Sequence, residues 1–180
     1  LIGPRTQPGK DCAPVKSWDW MKIAIHAVGR MKAGPDKELV ERYLDRFAKS
    51  GPAVGLEFAG VLETAESRAQ AAPERKREEA ERLRTLLAGG ATLVLLDERG
   101  KNLSSPDFAS RLGALRDDGK RQLVIAIGGA DGHDASLRDA AAQVLSFGAL
   151  TWPHQLVRIM LAEQLYRATT ILSGHPYHRA

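Results

Sequence analysis

The stretch LSFGALTWPHQLVRIMLAEQLYRA, residues 145–168, carries more of the fold than any other part of this 180-residue chain. It opens on a strand-like run, Leu145–Leu150, and turns at Pro153 into a helix predicted to reach about Leu172. Proline suits that start because its missing N–H has no partner to lose in a first turn. The helix carries Leu156, Met160, Leu161, Leu165, Ala168 and Leu172, more apolar surface than a single face of a helix uses. Just upstream, IGGADG (127–132) closes the continuous apolar run Gln122–Ile127. Such a run suits a strand in a sheet covered on both faces.

Between these segments Leu137, Ala141 and Val144 mark a further helix. Working back, Ser105-Pro106 opens a helix with Phe108, Leu112 and Leu115 on one side, and Ala91–Leu96 reads as another buried strand. Pro73 opens a highly charged helix whose apolar positions are Ala80, Leu83 and Leu87, stopped by Gly89-Gly90. Its run ERKREEAERLR (74–84) mixes signs at i,i+4 spacing and reads as a solvated helix face, not an RNA patch. Ala53–Ala59 is predicted as a strand, Pro35 as the start of a helix carrying Leu39, Tyr43, Leu44 and Phe47, and Lys22–Val28 as the first strand. The alternation predicts one α/β domain over residues 21–180, with a mostly parallel sheet and helices on both faces. Residues 1–20 hold Pro4, Pro8 and Pro14 without periodicity and read as an unstructured extension.

Composition narrows the class. At 43% hydrophobic and 27% charged the chain can bury a core and stay soluble. No apolar run approaches the roughly 20 residues of a membrane helix. The single cysteine, Cys12, excludes an intrachain disulfide and fits a cytoplasmic location. The net charge of +4 permits nucleic-acid binding without demanding it. The histidines lack zinc-ligand spacing, so no metal is expected.

Three strand ends draw attention: Leu96-Asp97, Gly128-Gly129 and the GALTWP segment at 148–153. Ligands of parallel α/β sheets bind at the carboxyl ends of strands, and glycine there lets the backbone approach them closely. Taken singly, each is equally a plain turn. No G-x-G-x-x-G follows the first strand and no P-loop occurs, which disfavours a nicotinamide-binding domain or an ordinary NTPase. The ending SGHPYHRA (173–180) is aromatic and basic, unlike a solvated tail.

Several ordered motifs together resemble the RlmH family of SPOUT methyltransferases. They are AVG near Gly29, LD-x-x-G-K at 96–101, IGG-x-x-G at 127–132, S-x-x-x-L-T-x-P-H-x-L-x-R at 146–158, E-Q-x-Y-R-A at 163–168 and the terminal HPYHR. The resemblance spans residues 21–180, and residues 1–20 lie outside its pattern. It implies an α/β fold with a C-terminal trefoil knot, a homodimer, and S-adenosylmethionine-dependent methylation of N3 of a pseudouridine in 23S ribosomal RNA on the ribosome. By matched positions it implies a cofactor pocket of Leu96, Gly128, Gly129, Gly148, Ala149, Leu150, Thr151, Trp152 and Pro153. Tyr177, His178 and Arg179 would face the RNA. A cation near the acceptor would favour the deprotonated imide, so His154 and Arg158 join His178 and Arg179 as candidates for the chemistry. Glu163 and Arg167, at i,i+4, read as a salt bridge. Two other readings stay open: a noncatalytic ribosome-assembly factor with this fold, and a SPOUT enzyme acting on tRNA.

Overall fold

The computed structural model describes residues 20–177. Ten elements alternate: β1 (Met21–Val28), α1 (Pro35–Ser50), β2 (Leu56–Thr64), α2 (Ala72–Leu87), β3 (Thr92–Asn102), α3 (Ser105–Asp117), β4 (Gln122–Ile127), α4 (Ala135–Ala140), β5 (Gln143–Ser146) and α5 (His154–Ser173). The strands form one sheet in the order β2-β1-β4-β3-β5, with every neighbouring pair parallel. Among the described residues no helix is long and apolar enough to cross a membrane.

Side chains alternate across a strand, so β4 feeds two cores. Leu123 and Ile125 join Ile23, Phe47 and Leu56 in the larger one, beneath α1, α3 and α5. Val124 and Ala126 meet Ala80, Leu83 and Leu137 in the smaller one, beneath α2 and α4. Helix α5 lies against both α1 and α3, which is why its buried residues, from Leu161 and Ala162 to Ala168 and Thr169, exceed one stripe. Helices therefore cover both faces of a parallel sheet, as the periodicity predicts.

Three boundaries differ from expectation. The second strand begins at Leu56 rather than Ala53, because Gly51–Val54 form a short 3-10 turn that ends on Gly55 at φ 71. Strand β3 runs six residues beyond Leu96. Its register on β5 jumps from Leu96 to Lys101, both opposite Leu145, so Asp97–Gly100 bulge outward. Near the carboxyl end, Val144 belongs to β5 rather than to a helix, and residues 147–153 form a loop in place of strand. Pairing of Gln143 and Val144 with Val94 and Leu95 decides this. Of the expected N-terminal extension, residues 1–19 lie outside the described residues. The charged face of α2 carries the ion pairs Arg77–Glu74, Arg82–Glu78 and Arg84–Glu81. It is not wholly solvated, however: Glu79 is buried and accepts from the Ser67 N–H at 2.9 Å.

The bulge of β3 crosses β5 at Gly100, where an added Cβ would overlap the backbone of Leu145. Backbone cannot swing aside as a side chain can. Gly100→Ala is expected to lower stability by about 1–3 kcal/mol, seen as a lower urea midpoint at unchanged slope.

His26 is buried within the sheet, its Nε2 lies 3.1 Å from Thr64 Oγ1, and its Nδ1 has no partner. Burial first, then the nearby His133 and Arg158, lower its pKa from 6.5 to about 4. The folded protein thus holds the neutral imidazole, whereas the unfolded chain takes up a proton near pH 6.5. Stability from this site is complete above that value and lost as pH falls toward 4, by about 2 kcal/mol at pH 5. Denaturant melts should show the protein less stable at pH 5 than at pH 7, and His26→Val should shrink the difference.

Candidate active site

A cavity of about 210 Å³ opens at the bulge of β3 and the carboxyl ends of β4 and β5. Three segments far apart in sequence wall it: 96–99, 127–132 and 145–152, with His154 and Val157 of α5. Leu96, Gly128, Gly129, Gly148, Leu150, Thr151 and Trp152 line this cavity. Ala149 and Pro153 adjoin it without lining it, and Pro153 serves as the N-cap residue of α5.

The glycines act for different reasons. A Cβ on Gly128 would press on the Gly132 backbone and the His133 ring, at 3.1 and 3.3 Å. One on Gly129 would meet Glu79 Oε2 at 2.9 Å and Val28 Cγ1 at 3.1 Å. Both added atoms point into the protein rather than the cavity, so the loop is glycine because its far side is full. Gly148 has φ 122 and open space where a Cβ would stand. There backbone conformation, not space, selects glycine.

Charge enters through Asp97, Glu98, Arg99 and Asp131, and two of the carboxylates are held by guanidinium groups. The Asp97 side chain is 3% exposed, takes hydrogen bonds from the Arg99 N–H (3.0 Å) and Nε (3.2 Å), and lies 3.6 Å from Arg138. Burial opposes its ionisation, but these donors and cations outweigh burial and lower its pKa. Asp131 is held below the ordinary carboxylate value chiefly by the hydrogen bond from Arg75. His133 is buried behind Gly128, with Nε2 3.1 Å from the Leu96 carbonyl, and burial lowers its pKa despite the opposing field of Asp97. It thereby ties the strand ends of β3 and β4 together. His133 and Arg75 escaped sequence reasoning. The one signal for His133 was its position directly after the glycine loop.

The other candidate residues divide. His154 lines the cavity at the first turn of α5. Arg158, one turn later, is buried and does not line it. Its guanidinium donates to Glu63 Oε1 at 2.5 Å and to the carbonyls of Val28 (3.1 Å) and Gly29 (2.7 Å). Tyr177 folds back on α5: its ring centre is 4.8 Å from that of Tyr166, and its hydroxyl is 3.4 Å from Glu163 Oε1. Arg167 bridges Glu163 and sits over the Tyr177 ring at 5.1 Å. Glu163 follows His154 by nine residues, about 13 Å along the helix, so within one chain Tyr177 rests away from the cavity. His178 and Arg179 lie outside the described residues.

Comparison with known proteins agrees with this architecture. Residues 21–178 match the family model described as "Predicted SPOUT methyltransferase". The chain is 71% identical over 160 residues to Ribosomal RNA large subunit methyltransferase H of Mesorhizobium japonicum, covering 89% of this chain and all of that one. It is 65% identical over 160 residues to the protein of the same name from Brucella anthropi, with the same coverage. With that from Agrobacterium fabrum it shares 67% over 159 residues, covering 88% and 99%. Among solved structures, the A. aeolicus TrmH/SpoU tRNA modifying enzyme overlays with a TM-score of 0.43 at 11% identity over 88% of this chain and 80% of that one, too small a likeness to argue from. A family match over nearly the whole described chain, with relatives of this identity along their full length, leaves one assignment: the chain belongs to the SPOUT methyltransferase family, among the ribosomal RNA large subunit methyltransferase H proteins.

Proposed function

We propose that this chain is an S-adenosylmethionine-dependent methyltransferase that methylates N3 of a pseudouridine in 23S ribosomal RNA. It acts on the ribosome, in the cytoplasm, as a homodimer. Residues 21–180 form the working domain, whose C-terminal part carries the family's trefoil knot. The observation that carries this reading is the meeting of the LD-x-x-G-K, IGG-x-x-G and GALTWP segments around one cavity.

The residues present suit the cofactor. Exposed Leu150 and Trp152 offer apolar faces to an adenine ring, and the backbone of Gly148 is open on one side. Leu96, Gly128, Gly129 and the 148–152 loop would hold it. When bound, S-adenosylmethionine supplies a methyl already activated by its sulfonium, so the chain needs no covalent nucleophile. What remains for the protein is to align the acceptor nitrogen and exclude water.

The imide N3 is a good nucleophile once its proton is lost. His154, on the cavity wall, is placed to accept that proton or to face the resulting anion. The two terminal nitrogens of Arg158 donate to Glu63 and to two carbonyls, while its buried Nε has no partner among the described residues, and it serves the reaction by holding α5. Tyr177 offers a ring for stacking on a base, and His178 and Arg179 add donors for phosphate or the imide. Tyr177, which rests about 13 Å along α5 from His154, can serve a cavity most directly across a dimer. The half-exposed Leu156 and the apolar groove of Tyr43, Phe108, Phe147 and Met160 beside α5 support such a pairing.

Light scattering is expected to show a particle of two 19.6 kDa chains, and a single-chain mass at working concentration would contradict the dimer. Deleting Tyr177–Ala180 should leave S-adenosylmethionine binding near the parent value by calorimetry. It should lower methyl transfer to ribosomes on the order of 100-fold, the cost of lost alignment. A joint loss of stability and cofactor affinity would make the tail a packing element. A parent chain that binds no S-adenosylmethionine would favour the assembly-factor reading.

A further inference from the structure

We propose that Arg75 is a positioning residue for the cofactor cavity, clamping the glycine loop that follows β4 to the connection between β2 and α2. This rests on the cofactor reading above and adds a residue from the opposite face of the sheet.

The loop at 128–132 reads Gly-Gly-Ala-Asp-Gly. Asp131 is its only side chain larger than a methyl, and so the one charged handle the loop offers to another side chain. Glycine-rich backbone loses more freedom on ordering than any other, and a cavity wall made of it must be held from outside. Inside the loop, the Gly132 N–H donates to the Gly129 carbonyl at 2.9 Å, with Gly132 at φ 77.

Arg75 supplies the outside grip. Its Nε donates to Asp131 Oδ2 at 2.6 Å and its Nη2 to Oδ1 at 3.1 Å, a two-point contact on one carboxylate. Its Nη1 donates to the carbonyls of Ala69 (3.0 Å) and Gln70 (2.8 Å). That connection is itself built: the Ser67 N–H donates to Glu79, the Ser67 hydroxyl to Glu78, and the Ala69 N–H to Ser67 Oγ. One planar guanidinium therefore joins a braced segment to a glycine loop held internally by one backbone hydrogen bond. Partly exposed ion pairs contribute little to global stability, so the clamp acts on the loop's geometry. Only arginine has the fork to meet two carboxylate oxygens and two carbonyls together.

Two readouts test this. In the cofactor-free protein, Arg75→Gln should speed amide hydrogen exchange at 129–132 while the melting temperature stays within error of the parent. In steady-state assays it should raise KM for S-adenosylmethionine about tenfold, less than the ~100-fold cost of misplacing reacting groups, with kcat within about twofold. Asp131→Asn should do the same, the double variant should match the singles rather than multiply them, and Arg75→Lys should restore only part of the loss. Parental exchange and KM in Arg75→Gln would overturn the proposal. So would multiplying effects, or a fall in melting temperature without faster local exchange. Should the parent chain bind no S-adenosylmethionine, the cofactor reading fails by itself, and the exchange experiment still decides whether the clamp exists.

Discussion

A buried guanidinium holds the working edge of this protein together. Arg158 reaches from the first turns of α5 to the last carbonyls of β1 and the carboxylate of Glu63 in β2. Strand-end carbonyls that leave a sheet need donors, and here one side chain supplies them. Removing one partner of such a buried pair typically costs about 3–5 kcal/mol, because the other charge is stranded. His154 stands one turn before Arg158, and the 147–153 loop leads into that turn. The placement of both against the cavity depends on this anchor.

A parallel sheet sends every strand end to one edge, and that edge is crowded. The cavity wall is glycine at 128 and 129 because His133, Val28 and Glu79 already fill the space behind it. Gly100 is small because β5 passes against it. His133, bonded to the Leu96 carbonyl, and Arg75, bonded to Asp131, then support the wall from the side away from the cavity. The glycine part of the lining is thus shaped by residues that do not belong to it.

Much of this was legible beforehand where a single periodicity governs. Strand β4 runs from Gln122 to Ile127 as its apolar run predicts, and α5 begins at the expected proline. The segments at Leu96, Gly128 and Gly148 do meet at one cavity, although β3 runs on past Leu96. Other features carried no local mark. Residues 97–102 are polar, so their membership of β3 was hidden, and Val144 looked helical until β3 claimed it as a pairing partner. The contact of Arg158 with Glu63, 95 residues away, has no mark in the sequence around either residue.

The sequence by itself determined the alternation of strands and helices, the burial of the sheet on both faces, and the family, since each is written in patterns a few residues long or in ordered motifs. Tertiary structure alone decided that Arg75 grips Asp131 across 56 residues, that Arg158 is an anchor, that the glycine wall is backed by His133 and Glu79, and that Tyr177 lies on Tyr166. The reason is physical. Apolar periodicity records which face of an element leaves water, whereas an ion pair or a close backbone approach depends on distances between elements that exist only once the sheet has closed its two cores.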